Sequence, residues 1–184
     1  MTVENLIINR RSFRALENVP LSETEIEKIK KLVLLAPSCF NNQPWRFVFV
    51  RNKENLEKLF TSLSSGNEWA KNASLIIAVF SKEDLDCKIK EREYFLFDTG
   101  IATGFLILAI SEMGFVAHPI AGFDEKKAKN YLNIPDEYIL ISLIIVGKHN
   151  PENDRLLNEK QKEVELNRPP RKNIEEIIYD EKFS

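Results

Sequence analysis

Pro37-Ser38-Cys39-Phe40-Asn41-Asn42-Gln43-Pro44-Trp45-Arg46-Phe47 connects a predicted helix to a predicted strand. Before this stretch, residues 22–25 have the form of a capping box, and apolar residues then recur at helical spacing until the proline. After it, the apolar run 47–50 is typical of a buried strand. The stretch is therefore a polar turn between a helix and a strand.

Two amides in this turn are candidates for ligand binding. Asn41 and Gln43 each offer hydrogen-bond donors and an acceptor, which suits the polar edge of a planar ring system. Cys39 has no histidine or acidic partner close to it in the sequence, so we do not expect it to act as a nucleophile. We expect Trp45 to belong to the hydrophobic core.

The rest of the chain alternates between helical and strand patterns. We predict further helices at 3–8, 54–63, 91–113 and 124–132, and strands at 75–80, 115–118 and 138–146. The helix at 91–113 is apolar almost all round, which predicts a place at the centre of the domain or in a subunit interface. Residues 148–171 are charged and polar without a periodic apolar face, and 174–179 are apolar again. This pattern predicts a polar arm ending in a strand that packs on a partner subunit.

Length and composition narrow the function classes. The 184 residues, 43% of them hydrophobic, suit one domain or one subunit of an intertwined oligomer. Because 26 basic residues nearly balance 28 acidic ones, we expect no nucleic-acid partner. The start lacks a basic, then apolar, signal pattern, and the apolar run 104–110 is too short to cross a bilayer, so we expect no membrane partner. Two cysteines without a CxxC motif predict a reduced, cytoplasmic protein without disulfide or zinc.

A cationic motif lies near the N-terminus. Arg10, Ser12 and Arg14 are two residues apart, so in an extended segment they point to the same side. Guanidinium groups bind a phosphate monoester bidentately, and the hydroxyl adds a neutral donor. A solvated basic turn is the alternative. A second basic group, Arg168 with Arg171 and Lys172, would by itself be surface charge.

Residues 119–124 form a predicted turn from a strand into a helix. Gly122 lets a ligand approach the backbone closely, and Asp124 suits the N-cap of the next helix. An ordinary tight turn is the alternative explanation. The sequence contains no GxGxxG, Walker, HExxH or GxSxG motif, so a nicotinamide cofactor would not be held by a Rossmann fingerprint.

The order of these segments resembles the FMN-dependent nitroreductase family. The specific match is the Pro-Ser-x-x-Asn-x-Gln-Pro-Trp block at 37–45, preceded by Arg-Arg-Ser-x-Arg at 10–14. Supporting matches are the helix at 98–114, the turn at 119–124, Ile134-Pro135, Val146-Gly147 and the segment 171–177. The resemblance covers nearly the whole chain.

The resemblance implies a fold and a cofactor. It implies one α+β domain over residues 1–184, with a central, mostly antiparallel sheet flanked by helices, and an intertwined homodimer. Residues 148–184 would form an arm that wraps the partner subunit. Two FMN molecules would lie at the subunit interface.

The resemblance also assigns binding roles, residue by residue. It assigns the FMN phosphate to Arg10, Arg11, Ser12, Arg14, Arg171 and Lys172. It assigns the flavin ring to Pro37, Ser38, Cys39, Asn41 and Gln43 of the opposite subunit, to the turn Pro119, Ile120, Ala121 and Gly122, and more loosely to Asn67. The family often has a glutamate where this chain has Ala121, but the contact there is made by the main chain.

The chemistry that the resemblance implies is ping-pong transfer. NADH or NADPH would reduce FMN, which would then reduce a nitroaromatic, a quinone or a related acceptor. Because the flavin carries the hydride, we nominate no catalytic acid or base and no metal. Loops around Phe40 and Tyr94 would shape the substrate site. Two alternatives remain open: a same-fold reductase of different chemistry (a dehalogenase, an enoyl-type reductase or a flavin-cleaving enzyme), and a non-enzymatic flavin-binding or redox-sensing protein.

Overall fold

The fold is built around an antiparallel sheet. The structure is a computed structural model that describes residues 2–183. The strands pair in the order β1-β7-β3-β2, and β6 also pairs with β7. Their bounds are β1 Leu16–Glu17, β2 Arg46–Val50, β3 Leu75–Ser81, β6 Val116–Ile120 and β7 Ile139–His149. A separate small hairpin consists of β4 Lys88–Ile89 and β5 Arg92–Glu93. The predicted α+β architecture with a mostly antiparallel sheet is confirmed.

Helices cover both faces of this sheet. The described residues contain α1 Val3–Asn9, α2 Glu23–Val33, α3 Lys53–Phe60, α4 Phe95–Glu112, α5 Glu125–Leu132 and α6 Glu159–Leu166. Side chains alternate along β7, so Leu143 and Ile145 pack in one hydrophobic cluster and Ile144 and Val146 in the other. The first cluster includes residues of α3 and α5, and the second includes residues of α2 and α4. Burial on both faces explains why residues 75–80 of β3 and 143–146 of β7 are continuous apolar runs.

Local capping signals in the sequence are confirmed. Ser22 and Glu25 form the predicted capping box at the start of α2. The side chain of Asp124 accepts a hydrogen bond from the amide of Lys127 and so caps α5. Trp45 is buried, as predicted.

The long apolar helix α4 begins at Phe95, later than the predicted start, because the hairpin β4–β5 occupies residues 88–93. Its length and composition would also suit a membrane span, yet one side packs against α2, β3 and β6 in the manner of a core helix. The opposite side exposes Leu96, Phe97 and Phe105. This surface is available for a subunit interface.

The C-terminal region differs from the prediction. Residues 159–166 form α6, which begins with a capping box of Asn158 and Gln161, and residues 174–176 form a short 3₁₀ turn instead of a strand. The sequence signal was weak because α6 contains no buried residue and therefore no apolar stripe. Ile174, Ile177 and Ile178 are exposed in the isolated chain.

Candidate functional site

Arginines from the two ends of the chain meet, and two of them lie near His118 in β6. We call Arg10, Arg14, Arg168 and Arg171 the arginine cluster. Burial lowers the pKa of Arg10, and the charges of Arg168 and Arg171 lower it further. A guanidinium N–H of Arg168 donates to the carbonyl oxygen of Arg10 at 2.7 Å. The predicted convergence of the two basic segments is therefore present in the structure.

His118 places Arg14 in the same group. Burial lowers the pKa of His118 to about 4, and the nearby charges of Arg14 and Arg10 also lower it. The Arg14 guanidinium lies 5.9 Å from the centre of the Trp69 ring, and that ring packs on His118 at 4.6 Å. The imidazole contacts the carbonyl oxygen of Phe13 through Nδ1 at 3.1 Å, so Nδ1–H is the donor.

The arginine cluster lacks negative partners. Within residues 2–183, the side chains of Arg10, Arg14 and Arg171 form neither a salt bridge nor a hydrogen bond. Arg10 and Arg14 are half-buried, and Arg168 and Arg171 are exposed. Like charges grouped in this way raise the free energy of the site until an anion compensates them. The cluster therefore has the charge and the donor geometry of an anion site.

The side chain of Arg11 does not join the arginine cluster, although the resemblance assigned it to the FMN phosphate together with Arg10 and Arg14. Alternation along residues 10–14 directs Arg11 and Phe13 away from the arginine cluster. The Arg11 guanidinium donates to the carbonyl of Val164 in α6 and lies 4.5 Å from the centre of the Phe13 ring. Ser12 lies between Arg10 and Arg14 in the chain, and Lys172 is exposed next to Arg171.

The turn at 119–122 is joined to Asn67. The carbonyl of Gly122 accepts hydrogen bonds from the Ser64 amide at 3.0 Å and from Nδ2 of Asn67 at 2.9 Å. A Cβ atom on Gly122 would lie only 2.6 Å from that Nδ2. The glycine therefore makes room for Asn67, where the sequence analysis had assigned the space to a ligand.

The turn also offers unpaired backbone donors. In the described part of the chain, the amides of Ala121 and Gly122 donate no backbone hydrogen bond. Pro119 and Ala121 are exposed, whereas Ile120 is buried at the end of β6. His118, whose pKa is lowered by the charges of Arg14 and Arg10, immediately precedes this turn in the chain.

The loop 37–43 is held in a strained conformation. Phe40, Asn41 and Gln43 have φ values of 47°, 58° and 50°, a region that costs a residue with a side chain on the order of 1 kcal/mol. The Ser38 hydroxyl accepts from the Gln43 amide at 2.9 Å, and the Gln43 side-chain amide donates to Asn41. Pro37 and Asn41 are exposed, and Phe40 is 84% exposed. Strain gathered in an exposed loop is typical of a binding surface.

The prediction that the cysteines are free is wrong. Cys39 and Cys87 form a disulfide with their Cα atoms 6.3 Å apart, although they are 48 positions apart in the sequence. The hairpin β4–β5 brings Cys87 to the loop, and Asn42 donates to Asp86 at 3.1 Å beside it. The hairpin strands have two residues each, too few to produce a strand pattern, so the sequence did not reveal this proximity.

Asp98 is a residue that the sequence analysis did not identify. It is buried in α4, and its carboxylate accepts the Cys39 amide at 2.6 Å. Burial raises its pKa, and the neighbouring carboxyl of Asp86 raises it further. The backbone amide of Tyr94 donates to the carbonyl of Cys87 at 3.2 Å, which places Tyr94 near the same group. Phe40 and Tyr94, the predicted substrate residues, therefore flank one disulfide-linked surface.

The predicted site residues fall into two separate groups. One consists of the arginine cluster, Asn67 and the turn 119–122, and the other of the loop 37–43 and residues 86–94. Within residues 2–183, no hydrogen bond, salt bridge or aromatic contact joins the two groups. In the arrangement that the resemblance implies, the groups that contact one ligand come from different subunits.

Comparison with known proteins agrees with this architecture. Residues 7–68 and 62–148 match the model of the nitroreductase family. A relative from Archaeoglobus fulgidus, named NADH dehydrogenase/NAD(P)H nitroreductase, is 31% identical over an alignment of 155 residues that covers 81% of this chain and 86% of the relative. An oxygen-insensitive NADPH nitroreductase from Helicobacter pylori is 27% identical over 169 residues, covering 71% of this chain and 79% of that protein. A crystal structure described as an oxidoreductase containing FMN superposes with a TM-score of 0.85 at 26% identity, over 100% of this chain and 94% of the other. The chain therefore belongs to the nitroreductase family of oxidoreductases.

Proposed function

We propose that this protein is an FMN-dependent NAD(P)H oxidoreductase of the nitroreductase type. It takes a hydride from NADH or NADPH and reduces nitroaromatics, quinones or related acceptors, as a cytoplasmic homodimer. The observation that carries the proposal is the uncompensated arginine cluster, Arg10, Arg14, Arg168 and Arg171. The FMN in the similar oxidoreductase structure and the NAD(P)H in the names of the relatives support it.

The arginine cluster suits the phosphate of FMN. Arg10, Arg14 and Arg171 supply guanidinium groups that are free to bind, and the Ser12 hydroxyl lies between the first two in the chain. A phosphate monoester carries up to two negative charges and accepts several hydrogen bonds, so it would relieve the repulsion within the cluster. Lys172, which is exposed next to Arg171, adds positive charge near the arginine cluster. Arg11 has a different role, because it anchors α6 through Val164.

A homodimer would bring the two groups of predicted site residues together at the subunit interface. The loop 37–43 of one subunit would lie across from the arginine cluster and the turn 119–122 of the other subunit. Exposed apolar side chains on α4 and in the segment 174–178 offer surfaces that a second copy would cover. Residues 148–184 would act as the arm that wraps the partner, with α6 fixing its start through Arg11 and Arg168.

The protein groups position the cofactor and shield it from solvent. The free amides of Ala121 and Gly122 suit acceptors on a ring, and the exposed amide of Asn41 suits its polar edge. Bound FMN supplies the hydride chemistry between the nicotinamide donor and the acceptor. Phe40 and Tyr94 would form an aromatic wall for a flat acceptor, and no side-chain acid or base is required.

A visible spectrum followed by anaerobic titration tests the proposal. Protein as isolated, or after addition of FMN, shows flavin absorption that NADH or NADPH bleaches. Colourless protein that takes up no FMN would contradict the proposal. Reoxidation of the reduced protein by a nitroaromatic, a quinone and an enone then separates nitroreductase chemistry from the same-fold alternatives. Flavin binding without multiple turnovers would favour the non-enzymatic alternative.

A further inference from the structure

The Cys39–Cys87 disulfide lies against two carboxyl groups. A carboxylate oxygen of Asp86 is within 4.8 Å of both sulfur atoms, and Asp98 accepts the amide of Cys39 at 2.6 Å. Asp98 is only 3% exposed. Charged carboxylates are rarely placed together next to an apolar helix, so this pair needs an explanation.

A proton shared between the two carboxyls would account for the arrangement. Oδ2 of Asp86 is buried and accepts no hydrogen bond from an N–H or hydroxyl group among the described residues. Asp98 lies close enough to Asp86 to form a side-chain hydrogen bond, which is one reason why its pKa is raised. A hydrogen bond between two carboxyls requires one of them to be protonated. A proton held there would satisfy the buried oxygen, and Asp86 offers a carboxylate oxygen within 4.8 Å of both sulfur atoms.

The disulfide lies near the surface of the chain. Cys39 and Cys87 are both half-buried, and Phe40, Asn41 and Lys88 around them are exposed. The bond also links three parts of the chain: the loop 37–43, the hairpin β4–β5 and, through Asp98, the helix α4. In a reducing cytoplasm, disulfides are typically transient or catalytic.

We propose that Cys39–Cys87 is a second redox site of this protein, which undergoes thiol–disulfide exchange with external dithiols and uses the Asp86–Asp98 pair as its proton donor. An external thiolate bonds to one cysteine sulfur, the Cys39–Cys87 bond breaks, and the electron pair leaves on the other sulfur, which takes the shared proton. The second thiol of the dithiol, after losing its proton, attacks the mixed disulfide and releases the second cysteine, which is protonated by solvent. The dithiol loses two electrons and two protons, and the cysteine pair gains them. The proposal does not depend on bound flavin.

The first experiment measures reduction of the folded protein. The protein as isolated is incubated with dithiothreitol under argon, quenched at intervals with iodoacetamide and weighed by mass spectrometry, with circular dichroism as the check on folding. We expect two alkylated cysteines to appear while the circular dichroism spectrum stays native, and oxidised glutathione to restore the unlabelled form. The proposal is overturned if the pair is labelled only after unfolding, or if oxidant does not rejoin the two thiols.

The second experiment tests the proton donor with matched variants. Asp98→Asn keeps an oxygen to accept the Cys39 amide but removes the shared proton. Asp84→Asn, at an exposed position in the same segment, is the control. We expect Asp98→Asn to slow reduction by about tenfold, less than a positioned acid usually contributes because a thiolate already leaves readily, and the control to be unchanged. A purely structural Asp98 would give the opposite result, since loosening the loop exposes the disulfide and speeds its reduction. Faster or unchanged reduction would overturn the role of the carboxyl pair.

Discussion

Arg171 lies close enough to Arg10 to lower its pKa, although the two residues come from opposite ends of the chain. Proteins rarely gather like charges without a compensating partner, and no carboxylate among residues 2–183 pairs with either side chain. The relationship therefore indicates that an anion belongs between these arginines.

Replacement of Arg10 tests that indication. Arg10→Gln removes a charge-assisted hydrogen bond to the FMN phosphate, worth about 1.5–3 kcal/mol, so FMN affinity should fall by roughly 10- to 100-fold. Arg11→Gln is the matched control, because that guanidinium points to Val164, and its effect on FMN affinity should be small. Quenching of FMN fluorescence during titration measures both constants. If both variants lose the same FMN affinity, the side chains of Arg10 and Arg11 do not point to opposite sides of the segment 10–14.

The contact between Gly122 and Asn67 predicts a specific pattern of stabilities. Gly122→Ala places a Cβ atom 2.6 Å from Nδ2 of Asn67, so the free energy of unfolding should fall by about 1–3 kcal/mol. Asn67→Ala clears that space, so adding Gly122→Ala to it should cost much less. Urea denaturation of the two single variants and the double variant measures this coupling. Strictly additive losses would argue against the contact.

Buried His118 predicts a pH-dependent stability. Its pKa is lowered to about 4 in the folded protein, so the unfolded chain binds a proton in the range from about pH 6.5 down to 4 that the folded chain does not bind. The free energy of unfolding of the flavin-free protein should therefore fall by up to about 3 kcal/mol across this range as the pH drops. His118→Asn, which keeps a donor for the Phe13 carbonyl, should flatten the slope, and an unchanged slope in that variant would show that another group causes it. Thermal or urea unfolding at several pH values gives the comparison.

The exposed side of α4 predicts where two copies meet. Phe97→Glu places a charge in the proposed interface and should weaken association by about 30-fold or more, the effect of losing a central contact worth about 2 kcal/mol. Ile139→Glu changes another exposed apolar residue outside that helix and serves as the control. Sedimentation velocity over a range of protein concentrations separates monomer from dimer. If the Phe97→Glu variant dimerises as tightly as the control, the interface does not include this side of α4.

Much of this fold was predictable because its signals are local or strictly periodic. The capping box at Ser22, the N-cap at Asp124 and the apolar runs of β3 and β7 each follow from a few neighbouring residues. The elements that were missed lack such signals. Helix α6 has no buried side, and the strands of the hairpin β4–β5 have two residues each.

The candidate site was also predictable only where residue types or sequence motifs indicated it. The convergence of Arg10 with Arg171 was proposed from the residue types and from the resemblance, and the structure brings the two together. The Cys39–Cys87 disulfide and its neighbour Asp98 depend on contacts between segments that are far apart in the sequence. Their chemistry appears only when the chain is folded, because neither cysteine has a distinctive neighbour in the sequence.

A comparison of FMN with riboflavin tests the central claim most directly. The two molecules share the isoalloxazine ring, and only FMN carries the phosphate that the arginine cluster is proposed to hold. We predict that the wild-type protein binds FMN at least about 100-fold more tightly than riboflavin, and that Arg10→Gln removes most of that difference. Equal affinity of the wild-type protein for both molecules, or uptake of neither, would contradict the account.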